Sequence, residues 1–240
     1  MINFFPIYIN ATTLDDCWHQ LLCQIYEKGR IYHITSGSFA GHDRLAFDYA
    51  AGFISNPHIR PLSPLMPEGS NLPRPTTDEK IEFYFSDYLM DATLSKNEHY
   101  KYASWIAGNN EVCMHNQLEW VISHFKTNGY GNEHCTIMIG NPDSSIAYEK
   151  KWNNETERGS TPCLRMLDFR IVDGYLTTHI VYRSWDLYSG FPENMGGFIL
   201  LNEFIADQLE NVKPGPLSFS SKSLHCYDFQ LDIVKQRLGK

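Results

Sequence analysis

The stretch TPCLRMLDFRIVDGYLTTHIVYRSWDLYSGFPENMGGFILL, residues 161–201, decides the fold. Cys163 to Val172 and Tyr175 to Ser184 are β-rich runs separated by Asp173-Gly174, and Asp-Gly between such runs is a strong signal for a tight hairpin. If Val172 pairs with Tyr175, counting back along both runs places Cys163 opposite Ser184 and Leu164 opposite Arg183. Opposed residues share a face and side chains alternate along a strand, so Ser184 is the expected neighbour of Cys163 while Arg183 points away. Bringing both to the cysteine requires a bulge or strong twist, expected near Trp185. Trp185 to Pro192 then reads as a turn-rich loop. Asn194 opens an apolar run through Phe198, Leu201, Phe204, Ile205 and Leu209 at helical spacing, either as its N-cap or with its amide close to the loop that ends the strand carrying Arg183.

Working outward, Pro214-Gly215-Pro216 stops that helix, Leu217 to Ser221 starts a last strand leading to His225-Cys226-Tyr227, and a short helix spans Asp228 to Arg237. Upstream, Lys150 to Ser160 is polar and irregular, Asn141-Pro142-Asp143 marks a turn, and Cys135 to Ile139 reads as a short buried strand. Helical spacing covers Met114 to Phe125 and Thr77 to Leu89. The prolines between Pro57 and Pro75 indicate an extended surface loop. Strands are expected at Ile31 to Thr35 and Leu45 to Ile54, joined by the glycine-containing turn Ser36 to His42. Thr13 caps a helix that carries Trp18, Leu21, Leu22 and Ile25 on one side and ends at Gly29.

With 42% hydrophobic and 14% aromatic residues among 240, the chain can bury the core of a single domain over residues 1–240. A formal charge of -8 argues against a broad polyanion-binding surface and hence against a nucleic-acid partner, although a small anion needs only a few arginines. The N-terminal MINFFPIYIN lacks the features of a signal peptide, and no apolar run approaches the ~20 residues that span a bilayer, so a cytoplasmic protein without membrane association is expected. The cysteines at 17, 23, 113, 135, 163 and 226 form no CxxC, which suggests neither a metal site nor a disulfide framework.

The Pro-Cys of Pro162-Cys163, the Arg-Ser-x-Asp of Arg183, Ser184 and Asp186, Gly190 with Pro192 and Asn194, and the His-x-Tyr of His225 and Tyr227 occur in an order and spacing that resemble the thymidylate synthase and pyrimidine-nucleotide hydroxymethylase family, in a compact archaeal-like form. The resemblance is clear over the last third of the chain. It implies an α/β fold with a mixed six-stranded sheet and flanking helices, a homodimer formed through that sheet, a pyrimidine nucleoside monophosphate substrate and a methylene-tetrahydropterin donor. The donor would be 5,10-methylenetetrahydrofolate or methylene-tetrahydromethanopterin. The chemistry accounts for these residue types. A pyrimidine C5 is a poor nucleophile until something adds at C6, and a thiolate can add and later leave; the resemblance gives Cys163 this role. A nearby guanidinium favours the thiolate, and Arg183 can supply it while gripping phosphate. The resemblance further implies a phosphate contact for Ser184, a pterin-side position for Asp186 and Trp105, and contact of His225 and Tyr227 with the sugar 3′-hydroxyl. Glu82 is the expected proton-relaying carboxylate. Asn194 can accept from uracil N3–H and donate to O4, the reverse of what cytosine needs, so it favours uracil.

The sequence departs from the family pattern where arginines would bind phosphate. Ser36-Gly37-Ser38 has no arginine beside it, leaving Arg44 or Arg30 as substitutes, and Asn132-Glu133-His134 stands where a partner-borrowed pair is found, leaving Arg165 or His134. The expected activity is thymidylate synthesis from dUMP. A 5-hydroxymethylase acting on dUMP, dCMP or CMP is the alternative, and a catalytically silent nucleotide-binding protein is a third reading.

Overall fold

The computed structural model describes residues 4–35, 37, 39–96, 98, 100–109, 112–146 and 161–240, without the side chains of 143 and 146. The expected features at Ser36, Ser38 and Lys150 to Ser160 lie outside these residues. The central element is a mixed six-stranded sheet built from β1 (Pro6–Ala11), β4 (Tyr49–Ile54), β9 (Lys213–Ser221), β7 (Tyr175–Tyr182), β6 (Leu164–Val172) and β5 (Thr136–Met138), in that order. β1 runs parallel to β4 and β7 parallel to β9, while the other pairs are antiparallel. Buried residues alternate with partly exposed ones along β1, β4, β7 and β9, so one face of the sheet is covered and the other left open.

The covered face receives α1 (Leu14–Lys28) and α5 (Gly190–Asp207). Thr13 caps α1 through its side chain, as the sequence predicts, and the stripe of Leu14, Trp18, Leu21, Leu22 and Ile25 is buried. α5 buries residues on nearly every side, because α2 (Asp78–Phe83) and the π-helix Tyr84–Leu89 pack across its N-terminal half. That approach requires Gly196 and Gly197. A Cβ at Gly196 would lie 2.7 Å from Ile81, and one at Gly197 would lie 2.5 Å from Tyr84.

A second, four-stranded sheet has the order β2 (Arg30–His33), β3 (Asp43–Ala46), β10 (Leu224–Tyr227) and β8 (Trp185–Asp186). The run expected as one strand from Leu45 to Ile54 is therefore two strands in different sheets, separated at Phe47 and Asp48. β1 and the participation of Pro214-Gly215-Pro216 in β9 were not expected. In β9 the register against β7 shifts between Leu176 and Thr178. The fully buried Asn202 of α5 fills the gap, donating from Nδ2 to Leu176 O at 2.8 Å and to Thr178 Oγ1 at 2.9 Å, and accepting at Oδ1 from Gly215 N at 3.2 Å. Prolines cannot close a strand ladder, and here a side chain does so instead.

The hairpin corrects the expected register. From Val172↔Tyr175 to Met166↔Val181 the pairing follows the count, but Leu164 then pairs with Tyr182, which leaves Arg165 as an extra residue. The irregularity required by the sequence lies in β6 at Arg165, not near Trp185. Its effect is to set Cys163 against Arg183 rather than Ser184, with Arg183 N donating to Cys163 O at 2.9 Å. It also turns Leu164, fully buried, onto the core face, which regular alternation from the buried Leu167 would not do. Asn194 is likewise not an N-cap: α5 begins at Gly190 after Ser189, and Asn194 lies inside the helix.

Candidate active site

The four-stranded sheet gathers the C-terminal motifs. Parallel pairing sets His225 beside Asp186, and antiparallel pairing sets Tyr227 opposite Arg44 and His225 opposite Ala46. Arg44, His225 and Tyr227 therefore share one face. His225 is 2% exposed, and its Nδ1 lies 3.1 Å from the carbonyl of Ser223, so Nδ1 carries the proton. Burial lowers its pKa to about 4, and the nearby Arg44 charge acts in the same direction. The neutral ring leaves Nε2 as a buried acceptor with no partner. Tyr227 is perpendicular to His225 at 4.8 Å and stacks with Phe39 at 4.3 Å. Of the two arginines considered for the early phosphate contact, Arg30 is engaged by Asp48, whereas the buried Nε of Arg44 has no partner.

Cys163 sits at the start of β6. Arg183 reaches back over it, donating from Nε to Pro162 O at 3.0 Å and from Nη2 to Thr161 O at 2.7 Å. Arg165 is held from another side by Nη2 donating to Ser145 Oγ at 2.9 Å, while its buried Nη1 has no partner. Burial pushes the Cys163 thiol above its ordinary range, and the charges of Arg183 and Arg165 oppose that shift. The expected arginine effect is present, yet desolvation outweighs it. Ser184 follows in the bend between β7 and β8.

A wall of largely buried phenols lies beside Cys163. Tyr102 Oη accepts from Leu164 N at 3.2 Å, Tyr88 meets Tyr102 edge-on at 5.1 Å, and Tyr84 stacks on Tyr88 at 5.4 Å. The hydroxyls of Tyr84 and Tyr182 are buried within electrostatic reach of each other but out of hydrogen-bond geometry. Burial raises the pKa values of Tyr84, Tyr102 and Tyr182 well above the ordinary phenol value, so all three remain neutral donors. Glu82, expected as the carboxylate at this place, is exposed instead. Its neighbour Ile81 is the residue of α2 that turns inward, against Gly196, which directs Glu82 away from the core. The i, i+4 spacing of Tyr84 and Tyr88 was the available signal for the phenol wall.

Asn194 Oδ1 accepts from Trp185 Nε1 at 2.9 Å. Asp186 is a half-buried loop anchor, accepting from Tyr188 N at 3.0 Å, Gly190 N at 3.2 Å and Gln230 Nε2 at 3.1 Å, with a pKa raised by desolvation against those donors. Trp105 lies in the π-helix Ser104–Gly108, is 8% exposed and meets Tyr100 at 5.4 Å. His134 is exposed and packs on His124 rather than near the cysteine. Among the described residues no His, Cys, Asp or Glu group is arranged to hold a metal ion, and no helix is long and apolar enough to cross a membrane.

The family model described as thymidylate synthase matches residues 89–240. A Methanosarcina barkeri protein provisionally named a thymidylate synthase is 25% identical over 236 residues, covering 95% of this chain and 92% of that protein. A Methanocaldococcus jannaschii protein with the same provisional name is 27% identical over 187 residues, 76% of each chain. A thymidylate synthase of Coxiella burnetii is 31% identical over 102 residues, covering 42% of this chain and 38% of the other.

Proposed function

Because the chain belongs to the thymidylate synthase family, we propose that it transfers a one-carbon unit to C5 of dUMP through a covalent Cys163 adduct, forming dTMP. The observation that carries this reading is the meeting, at the start of β6, of the half-buried Cys163 thiol with the guanidiniums of Arg183 and Arg165.

In this reading Arg183 and Arg165 hold the phosphate beside Cys163, with Ser184 and Arg44 contributing further donors. A dianion so placed offsets part of their charge, and the thiolate is generated by the positive field that remains. Neutral His225 accepts from the sugar 3′-hydroxyl through Nε2, and Tyr227 borders the same position. Attack of the thiolate on C6 moves electron density onto C5 and O4. The Asn194 amide donates to O4, and the buried phenols keep the surroundings dry and uncharged, so that the developing oxyanion meets preorganised donors. The methylenetetrahydrofolate-type co-substrate of the family would supply both the carbon and the hydride that reduces it to methyl, leaving as the dihydro form, in a space bounded by Trp105 and the loop that Asp186 anchors. Departure of the C5 proton and later of Cys163 restores the aromatic base.

The open face of the six-stranded sheet supports an isologous homodimer. It presents Tyr8 at one edge, Met138 and the Thr136 hydroxyl donating to Asp168 at 2.6 Å at the other, and His179 contacting Ser218 at 2.9 Å between them.

The test is to incubate the full chain with dUMP, dCMP, UMP or CMP and methylenetetrahydrofolate and identify products by mass. A methylated dUMP product that disappears in Cys163→Ala is expected. Turnover that survives in Cys163→Ala refutes the covalent mechanism, and a hydroxymethyl product refutes methyl transfer.

A further inference from the structure

Trp185 occupies the variable position of the Arg-Ser-x-Asp motif and is 2% exposed. Its indole is pinned on several sides. Tyr182 stacks on it with centroids 3.8 Å and planes 9° apart, Phe191 packs at 4.8 Å, and Phe219 meets it edge-on at 6.1 Å. From this fixed position Nε1 donates to Asn194 Oδ1 at 2.9 Å. An indole N–H can only donate, so the amide atom facing it has to be oxygen. Turning the carboxamide over would set its NH2 against the indole N–H and leave buried donors facing each other. Asn194 has no backbone freedom to compensate, because it lies inside α5, whose first residue Gly190 is anchored through its N–H to Asp186 Oδ2 at 3.2 Å.

Resting on the reading that Asn194 meets the N3–C4 edge of the base, we infer that Trp185 is a specificity-determining residue: by fixing the amide it allows Asn194 to read only one order of donor and acceptor. Uracil offers a donor at N3 and an acceptor at C4, whereas cytosine offers the reverse. A carboxamide that is free to turn satisfies both bases. One that is held satisfies uracil or cytosine but not both, and the rejected base leaves a buried polar pair unmatched. Trp185 acts through Asn194 and is therefore a positioning residue.

The experiment measures dissociation constants of dUMP and dCMP by calorimetry on the full chain, on Trp185→Phe, and on protein carrying 3-benzothienylalanine at position 185. The last replacement keeps the indole shape and removes only the N–H, so packing is preserved even if the phenylalanine variant folds poorly. The wild type should prefer one nucleotide by roughly tenfold or more, which is about 1.4 kcal/mol. Both replacements should bring the ratio to within about threefold, with the gain falling on the disfavoured nucleotide. A merely structural tryptophan would weaken both nucleotides together and leave the ratio in place. An unchanged ratio in the benzothienyl protein overturns the inference, as does a wild type that binds both nucleotides equally. A wild type that binds neither overturns the nucleotide reading itself.

Discussion

Asn202 offers a direct measure of how α5 is fixed to the sheet. Replacing it with leucine conserves volume but removes the partners of Leu176 O and Gly215 N at the irregular point where β9 passes β7. Each buried backbone group left unpaired costs about 1–3 kcal/mol, so the two together cost roughly 2–6 kcal/mol. A buried leucine returns part of this, about 2 kcal/mol by apolar burial. The expected net loss is about 2 kcal/mol, a sizeable share of the ~5–15 kcal/mol typical of a folded domain. In urea denaturation, with a slope of about 3 kcal/mol per molar, the midpoint should fall by about 0.7 M without a change in slope. A fall of less than about 0.3 M would refute the reasoning, because it would mean that the Pro214-Gly215-Pro216 segment meets its own hydrogen-bonding needs.

Further outcomes follow from the charges. Removing a cation beside Cys163 destabilises the thiolate, so Arg165→Gln should raise the thiol pKa beyond its already elevated position; the pH midpoint of Cys163 alkylation by iodoacetamide should move upward, and an unmoved midpoint would separate Arg165 from the nucleophile. His225 is held neutral, with a folded pKa of about 4 against an ordinary value of 6.5, so its contribution to stability is present above pH 6.5 and is lost as the pH falls towards 4. The loss is about 3 kcal/mol at most. It should appear as a steeper acid dependence of the wild type than of His225→Gln in denaturant titrations, and parallel curves would refute it.

The hairpin, its turn and its register over most of its length were legible because Asp173-Gly174 fixes the count locally. The bulge was legible as a necessity but not in position, since nothing in the residues from Pro162 to Met166 announces which one is extra. Asn194 resembled a cap because Asn is common there, but the true helix start at Gly190 is set by the Asp186 loop, which is a tertiary contact. Arg44, His225 and Tyr227 were identified individually, but their shared face depends on pairing between distant strands. Glu82 is exposed because the inward positions of its segment are Ile81 and Tyr84, a difference that the run of apolar and aromatic residues around it did not mark. Aromatic residues at core spacing look the same whether they line a site or fill an interior, so the spacing of Tyr84 and Tyr88 marked a packed face without marking a site, and Tyr182 gave no separate signal.

The extra residue at Arg165 makes the presentation of the nucleophile a matter of parity. Every side chain between Thr161 and Leu164 takes its orientation from whether an odd or an even number of residues separates it from the regular part of β6. If the same residues paired without a bulge, the Asp173-Gly174 turn and the pairs beyond Met166 would stay unchanged while Cys163 and Leu164 exchanged faces. Within this fold, whether a single residue is left out of the ladder separates a strand that displays its thiol from one that conceals it, and an overall superposition would barely register the difference.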